Sequence, residues 1–214
     1  MEILISTQKD ILSIAKCQAI CFPDSFAVKL GLPCIEKSLQ WFLVNQNRFL
    51  VHIENEGKVI GFAGGFMPQF IGDGSKSGML NYALKDAMKG LVIRPRLIFE
   101  PELWRFGLVF LKNKWKRIFK NEMINQSIIP NDIQEYINSV ALTIIAVHPD
   151  FRGQGVVDCL LSYADKIATT HQKPVLCLGV KQKNKIAFNA YSKNGWFFYK
   201  KLGDSIVMKK YLNT

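Results

Sequence analysis

Arg152, Gly153, Gln154 and Gly155 stand between an apolar run rich in β-branched residues, Ala141 to Val147, and a stretch whose apolar residues recur at helical spacing. The pattern is a strand running into a loop that opens a helix. The chemistry such a junction can do is anion binding. Glycines at 153 and 155 accept backbone angles that other residues resist and let an anion approach the main chain, while the first N–H groups of the next helix lack intrahelical partners. Arg152 adds a permanent positive charge beside them. A pyrophosphate suits a helix mouth of this kind. Pro149 ends the strand, and Val156, Val157, Leu160, Leu161, Ala164, Ile167 and Ala168 mark the helix.

A second segment, Asn184 to Trp196, reads as a compact helix with a capping Asn at its start and Gly195 at its end, preceded by an apolar strand from Pro174 to Val180. Tyr191 lies within it. A tyrosine hydroxyl, of reference pKa about 10, can donate a proton or a hydrogen bond. The plainer reading of Tyr191 is an aromatic packing residue on an amphipathic helix.

Together the two segments resemble the two signature motifs of the GNAT (Gcn5-related N-acetyltransferase) superfamily. The first motif has the form Arg/Gln-x-x-Gly-x-Gly/Ala, and Arg152, Gly153, Gln154, Gly155, Val156 and Val157 fill it with one departure: Val157 stands where Gly or Ala is usual. The second, Asn-x-x-Ala-x-x-x-Tyr-x-Lys-x-Gly-aromatic, is matched by Asn184, Ala187, Tyr191, Lys193, Gly195 and Trp196. The resemblance implies an α/β (α+β) fold with a mixed, mostly antiparallel sheet flanked by helices, and acetyl-CoA as acyl donor. It implies a cofactor lying between the strand that ends at Val147 and the strand Pro174 to Val180. Ile145, Ala146 and Val147 would then line the pantetheine, paired to main-chain groups of Ile145 and Val147. The diphosphate would sit on N–H groups from Arg152 to Val157, and Asn184 would contact the cofactor. It further implies direct attack of an acceptor amine on the thioester, an oxyanion stabilised by main-chain N–H groups near Ile145, and Tyr191 as the proton donor to the departing thiolate. No enzyme cysteine and no metal is called for.

The elements that must position these groups follow from pattern. Met1 to Ser6 is a short strand, and Thr7 with Asp10 forms a capping box for a helix through Ile11, Ile14, Ala15, Gln18 and Ala19. Pro33 to Asn45 reads as a second helix, and Arg48 to Glu54 and Lys58 to Phe66 as strands joined at Asn55-Glu56-Gly57. Ser139 to Val147 is the strand into the anion loop, and Trp196 to Lys200 with Ile206 to Lys210 makes a closing hairpin around Leu202-Gly203-Asp204. The order β-α-α-β-β, then β-α-β-α-β-β, matches the order the superfamily shows.

Roughly seventy residues, about 70–138, interrupt that order within an expected single domain over 1–214. Met79, Leu80, Tyr82, Ala83, Ala87 and Met88 suggest a helix ending at Gly90, and Trp104, Leu108, Leu111, Trp115 and Ile118 suggest another. Between Lys85 and Lys120 ten Lys and Arg face three Asp and Glu, a net of +7 within a whole-chain charge of +11. This excess points to an anionic acceptor such as a nucleotide-linked amino sugar or other small anionic amine, or to peripheral contact with an anionic membrane; nucleic acid ranks last, since no nucleic-acid-binding motif accompanies the charge. A solvated basic face is the plain reading. No run is apolar enough to span a bilayer and no secretory signal is visible, so the expected location is cytoplasmic. A homodimer is left open.

The general base is not identifiable. Glu100 and Glu102 are candidates, though acids near Pro101 also suit a helix start. His148 reads as a loop residue, and His52 and His171 have no visible partners. Five cysteines, at 17, 21, 34, 159 and 177, lack paired metal-ligand spacing and read as reduced thiols, with Cys17 and Cys21 on one helix face. The rival to an N-acetyltransferase is a catalytically inactive coenzyme A-binding module that senses or docks.

Overall fold

The computed structural model describes residues 1–69, 75–100 and 135–212, and element numbers below run over these residues. Strand β1 (Leu4–Ile5) leads to α1 (Ile11–Cys21), α2 (Phe26–Leu30) and α3 (Leu32–Gln40). The hairpin β2 (Arg48–Asn55) and β3 (Lys58–Phe66) follows, then α4 (Ser75–Ile93). The chain continues through β4 (Ser139–Val147), α5 (Val156–Thr170), β5 (Val175–Lys181), α6 (Lys185–Lys193), β6 (Phe197–Leu202) and β7 (Ser205–Tyr211).

The strands form one seven-stranded sheet in the order β1-β2-β3-β4-β5-β7-β6. Every neighbouring pair is antiparallel except β4 and β5. A parallel pair needs a crossover, and α5 supplies it. The two faces are covered by different helices. On one, α1 and α3 bring Ile14, Ile35 and Leu39 onto Phe42, Phe62 and Phe66. On the other, Leu161, Ala164 and Ala168 of α5 pack with Val140, Leu176 and Met208, and Val156 and Leu160 pack with Val51, Ile53 and Ala63. Strands β2 to β5 therefore read as near-continuous apolar runs, as strands buried on both faces must.

Several boundaries differ from the sequence reading. The opening strand is limited to Leu4–Ile5. Asp10 does bind back to Thr7, accepting from its N–H at 2.7 Å and its hydroxyl at 2.8 Å, but the helix begins only at Ile11. The helix expected over Pro33 to Asn45 stops at Gln40 and tightens into a 3₁₀ turn, Trp41–Leu43. That turn aims both aromatics inward: Trp41 lies edge-on to Phe42 at 5.1 Å and to Phe66 at 5.8 Å, and Arg48 covers its ring at 3.7 Å while donating to its carbonyl at 2.9 Å. The five-residue α2 is too short to register as a periodicity.

Gly90 does not end a helix. α4 runs on to Ile93, and a Cβ at Gly90 would stand 2.4 Å from the Leu30 carbonyl oxygen, so the glycine lets α4 cross the end of α2 closely. The second helix expected in the insert, Trp104 to Ile118, lies outside the described residues. Where the chain returns, Glu135 accepts from Lys209 Nζ at 2.7 Å and from the Tyr211 hydroxyl at 2.6 Å, fixing the approach to β4 against the sheet.

Candidate active site

The site forms where β4 and β5 part. Their parallel ladder has four rungs, from Ser139 opposite Val175 to Leu142 opposite Leu178, and stops there. Beyond Leu142, β4 pairs only with β3, while β5 pairs only with β7. Two strands that continue without pairing leave a cleft with main-chain groups on its walls.

Alternation along β4 decides which groups face it. The His148 N–H donates to the Ile60 carbonyl at 2.8 Å and Ala146 pairs with Phe62, so these residues spend their peptide groups on β3. Ile145 and Val147, one step out of phase, turn theirs to the cleft. Ala146 thus lies on the strand as expected but offers it no main-chain group. At the closed end Gly64 faces Ile144 and Gly65 faces Leu142, which leaves Thr143 as the extra residue of a β-bulge.

At the open end the loop turns as its glycines allow. Gly153 and Gly155 have φ of +77° and +80°, the left-handed region that an L side chain resists. A Cβ at Gly153 would meet nothing within 4 Å, so the space before the loop is clear. Gly155 is the N-cap of α5 and brings no side chain to its first turn. The first N–H groups of α5 receive no hydrogen bond from a capping side chain. Gln154 closes the loop by donating to the Asp150 carbonyl at 3.0 Å, and Arg152 Nε lies 3.3 Å from the Val147 carbonyl, folded over the edge of β4.

Helix α5 is pinned from below. Val156 is buried against β3, where a Cβ at Gly61 would come within 2.6 Å of it. Val157, at the position where Gly or Ala is usual in the motif, packs half-buried into the cluster that also takes Ile145, Ala187, Phe188 and Tyr191. Its bulk goes into that shared core cluster. Asp158, in the first turn of α5, accepts from Asn194 Nδ2 at 2.7 Å and ties the mouth of α5 to the end of α6. The sequence motif does not reveal this link, since Asp158 and Asn194 lie outside its defining positions.

Asn184 caps α6, its Oδ1 accepting from the Ala187 N–H at 3.1 Å, which leaves its NH₂ as the group it can offer. Tyr191 is half-buried 6.3 Å from Trp196, and burial pushes its hydroxyl up to about 12. The other candidates have structural employment. Glu100 is ion-paired with Lys29 at 2.7 Å, and Glu102 lies outside the described residues. His148 is buried, accepts from the Asp150 N–H and lies edge-on to Phe151 at 5.9 Å. His52, for which the sequence suggested no partner, has two: Ser6 Oγ at 2.8 Å and Glu54 Oε1 at 3.3 Å. Cys17 and Cys21 do meet, with their sulfurs 3.9 Å apart; their mutual hydrogen bond pushes the Cys17 thiol up and the Cys21 thiol down. Among the described residues no three His, Cys, Asp or Glu gather as metal ligands.

Neither a protein-family model nor any curated protein sequence matches the chain. Solved structures do. The N-acetyltransferase PaiA of Thermoplasma acidophilum in complex with coenzyme A superposes with a TM-score of 0.57 at 13% identity, covering 99% of this chain and 98% of that one. The putative acetyltransferase YncA of Salmonella typhimurium with acetyl-CoA gives 0.56 at 15% identity over 99% and 94%. An acetyltransferase of the GNAT family from Streptococcus pneumoniae gives 0.56 at 13% identity, covering 99% of each chain. With the β4–β5 parting and the open helix mouth in the expected order along the chain, the fold is that of the GNAT N-acetyltransferases.

Proposed function

We propose that this protein is an acetyl-CoA-dependent N-acetyltransferase in which an acceptor amine attacks the thioester directly. The observation that carries the reading is the uncapped, glycine-led mouth of α5 opening at the end of a strand whose Ile145 and Val147 peptide groups face a cleft. The donor fits this frame on its chemistry: a diphosphate needs unpaired N–H groups and a nearby cation, and a pantetheine needs peptide groups with which to pair. The N–H groups of the α5 mouth and Arg152 would hold the diphosphate, Ile145 and Val147 the pantetheine, and Asn184 would add one donor. Acetyl-CoA supplies the activated acetyl group: as the C–N bond forms the C–S bond breaks, and the proton lost by the amine ends on the thiolate.

The residues then divide the work. N–H groups of β4 near Ile145 offer preorganised hydrogen bonds to the oxygen on which charge develops. Tyr191 stays protonated throughout the neutral range. A thiol of reference pKa about 8.5 lies well below it, so full transfer from Tyr191 to sulfur is uphill. Tyr191 therefore serves as a hydrogen-bond donor to the departing sulfur, and the amine proton is the one that neutralises it. Freeing a lysine-like amine of its proton at pH 7 costs about 4.6 kcal/mol, whereas an amine of pKa near 7.7 costs about 1. The second class needs no strong base. An anionic amine, such as a nucleotide-linked amino sugar, suits the +7 of residues 85–120.

The test is release of free thiol from acetyl-CoA across amines, peptides and nucleotide sugars. Turnover with one class supports the reading, and none with any class in cofactor-binding protein defeats it. One pair of observations favours the rival, a coenzyme A-binding module without turnover: Tyr191 holds its proton tightly and Glu100 is occupied by Lys29.

A further inference from the structure

We propose that Thr143 binds the acceptor amine, its side-chain oxygen accepting a hydrogen bond from the attacking nitrogen; this rests on the acetyltransferase reading above. Four buried side-chain polar atoms have no hydrogen-bond partner among the described residues: Gln18 Oε1, Thr143 Oγ1, Asp165 Oδ1 and Trp196 Nε1. Only Thr143 stands on a strand that borders the cleft. A buried hydroxyl left without a partner destabilises a fold, and a residue of the same shape without it would cost less. Valine is that residue, and β4 is otherwise built of Val, Ala, Leu and Ile with Ser139 at its start. Threonine in the middle of such a run needs an account.

Its place in the register supplies one. Leu142 belongs to the cluster under α5, and Ile144 packs against the cluster under α1. Thr143 is the inserted residue between them, immediately past the last rung that joins β4 to β5. The bulge re-aims the chain at the point where the cleft closes. Diphosphate-binding groups lie at the other end, after Val147, and the strand runs back from there through Val147 and Ile145 toward Thr143. Two residues of extended strand cover about 6.6 Å, so Thr143 lies one short step beyond the N–H groups assigned to the acetyl oxygen. The attacking nitrogen must sit within about 3–3.5 Å of the acetyl carbon. A hydroxyl beside it, without a partner among the described residues, gains one from the incoming amine and orients the nitrogen lone pair toward the carbonyl.

The experiment compares Thr143→Val and Thr143→Ser with the parent protein, using acetyl-CoA with an alanyl peptide, a lysyl peptide and a nucleotide-linked amino sugar as probe amines. Coenzyme A titrations and thermal melts are run alongside. In Thr143→Val, kcat/KM for the amine falls about tenfold, mainly through KM, while coenzyme A affinity stays within about twofold and Tm is unchanged or higher. Thr143→Ser restores kcat/KM to within about threefold. The proposal alone is overturned if Thr143→Val keeps kcat/KM within about twofold of an active parent, or if its Tm drops by several degrees, since the hydroxyl then has a structural partner. A parent that binds coenzyme A yet acetylates none of the probes overturns both this proposal and the acetyltransferase reading.

Discussion

Helices α5 and α6 each follow one of the two parallel strands, yet they begin in opposite ways. α6 opens with Asn184, whose side chain takes up the Ala187 N–H; α5 opens with Gly155, which offers no side chain at all. A helix that starts on Gly gives up a few tenths of a kcal/mol that Asn, Asp, Ser or Thr would supply. The chain forgoes this at the mouth beside the β4–β5 cleft and takes it at the start of α6. The surroundings agree: the space at Gly153 is clear, Val156 is packed beneath, and Val157 packs against the core cluster. The contrast is between a helix start closed by its own side chain and one that is not, and the proposed diphosphate site uses the second.

The largest expected effect comes from closing the open start. Gly155→Asp places a carboxylate where the diphosphate belongs and an L side chain at a φ of +80°; we expect coenzyme A affinity to fall at least about a hundredfold by calorimetry. Gly155→Asn tolerates that backbone better and gives α5 the cap that α6 has. It should weaken coenzyme A about tenfold with little change in Tm, and an unchanged affinity would erase the contrast. Next in size, Tyr191→Phe should lower kcat about ten- to a hundredfold while coenzyme A affinity stays within about twofold, in steady-state kinetics and calorimetry. If the protein is a binding module, there is no turnover for this change to remove.

Smaller effects probe the second helix. Asn184→Ala should cost about 1 kcal/mol in urea denaturation and Asn184→Gly only a few tenths. Val157→Ala should cost about 1 kcal/mol of core packing, with coenzyme A affinity within about threefold. A gain well beyond that would mean the valine crowds the mouth. The smallest effect is one of pH. With Tyr191 raised from 10 to about 12, the folded state keeps a proton that the unfolded state releases. Its contribution to stability is complete below pH 10 and is lost as pH rises toward 12. Between pH 7 and 9 the Tyr191 proton should therefore leave both rate and Tm unchanged, and a fall in rate of Tyr191 origin in that window would contradict its burial.

Much of this arrangement is legible from residue order because it is local. Strands β3 and β4 begin and end where apolar runs and a hairpin turn say they should, and the glycine loop and the Asn184 cap are each written within a few consecutive residues. What escaped depends on distant partners. α2 is too short to show a period, Gly90 resembles a helix stop until Leu30 is seen against it, and Pro33 to Asn45 looks like one helix until the Trp41 turn finds Phe66. The cleft itself is a matter of register. Nothing in the run Ser139 to Val147 announces that pairing with β5 ends at Leu142, that Thr143 bulges, or that Ala146 spends its peptide groups on β3 while its neighbours do not.

The central claim is that the N–H groups at the uncapped start of α5 grip a diphosphate. Calorimetric titration of the folded protein with coenzyme A and, in parallel, with pantetheine, which lacks the diphosphate, tests it most directly. Coenzyme A should bind saturably at about micromolar concentration and pantetheine at least about a hundredfold more weakly. Equal affinity for the two, or no heat with either in protein shown to be folded, would contradict it.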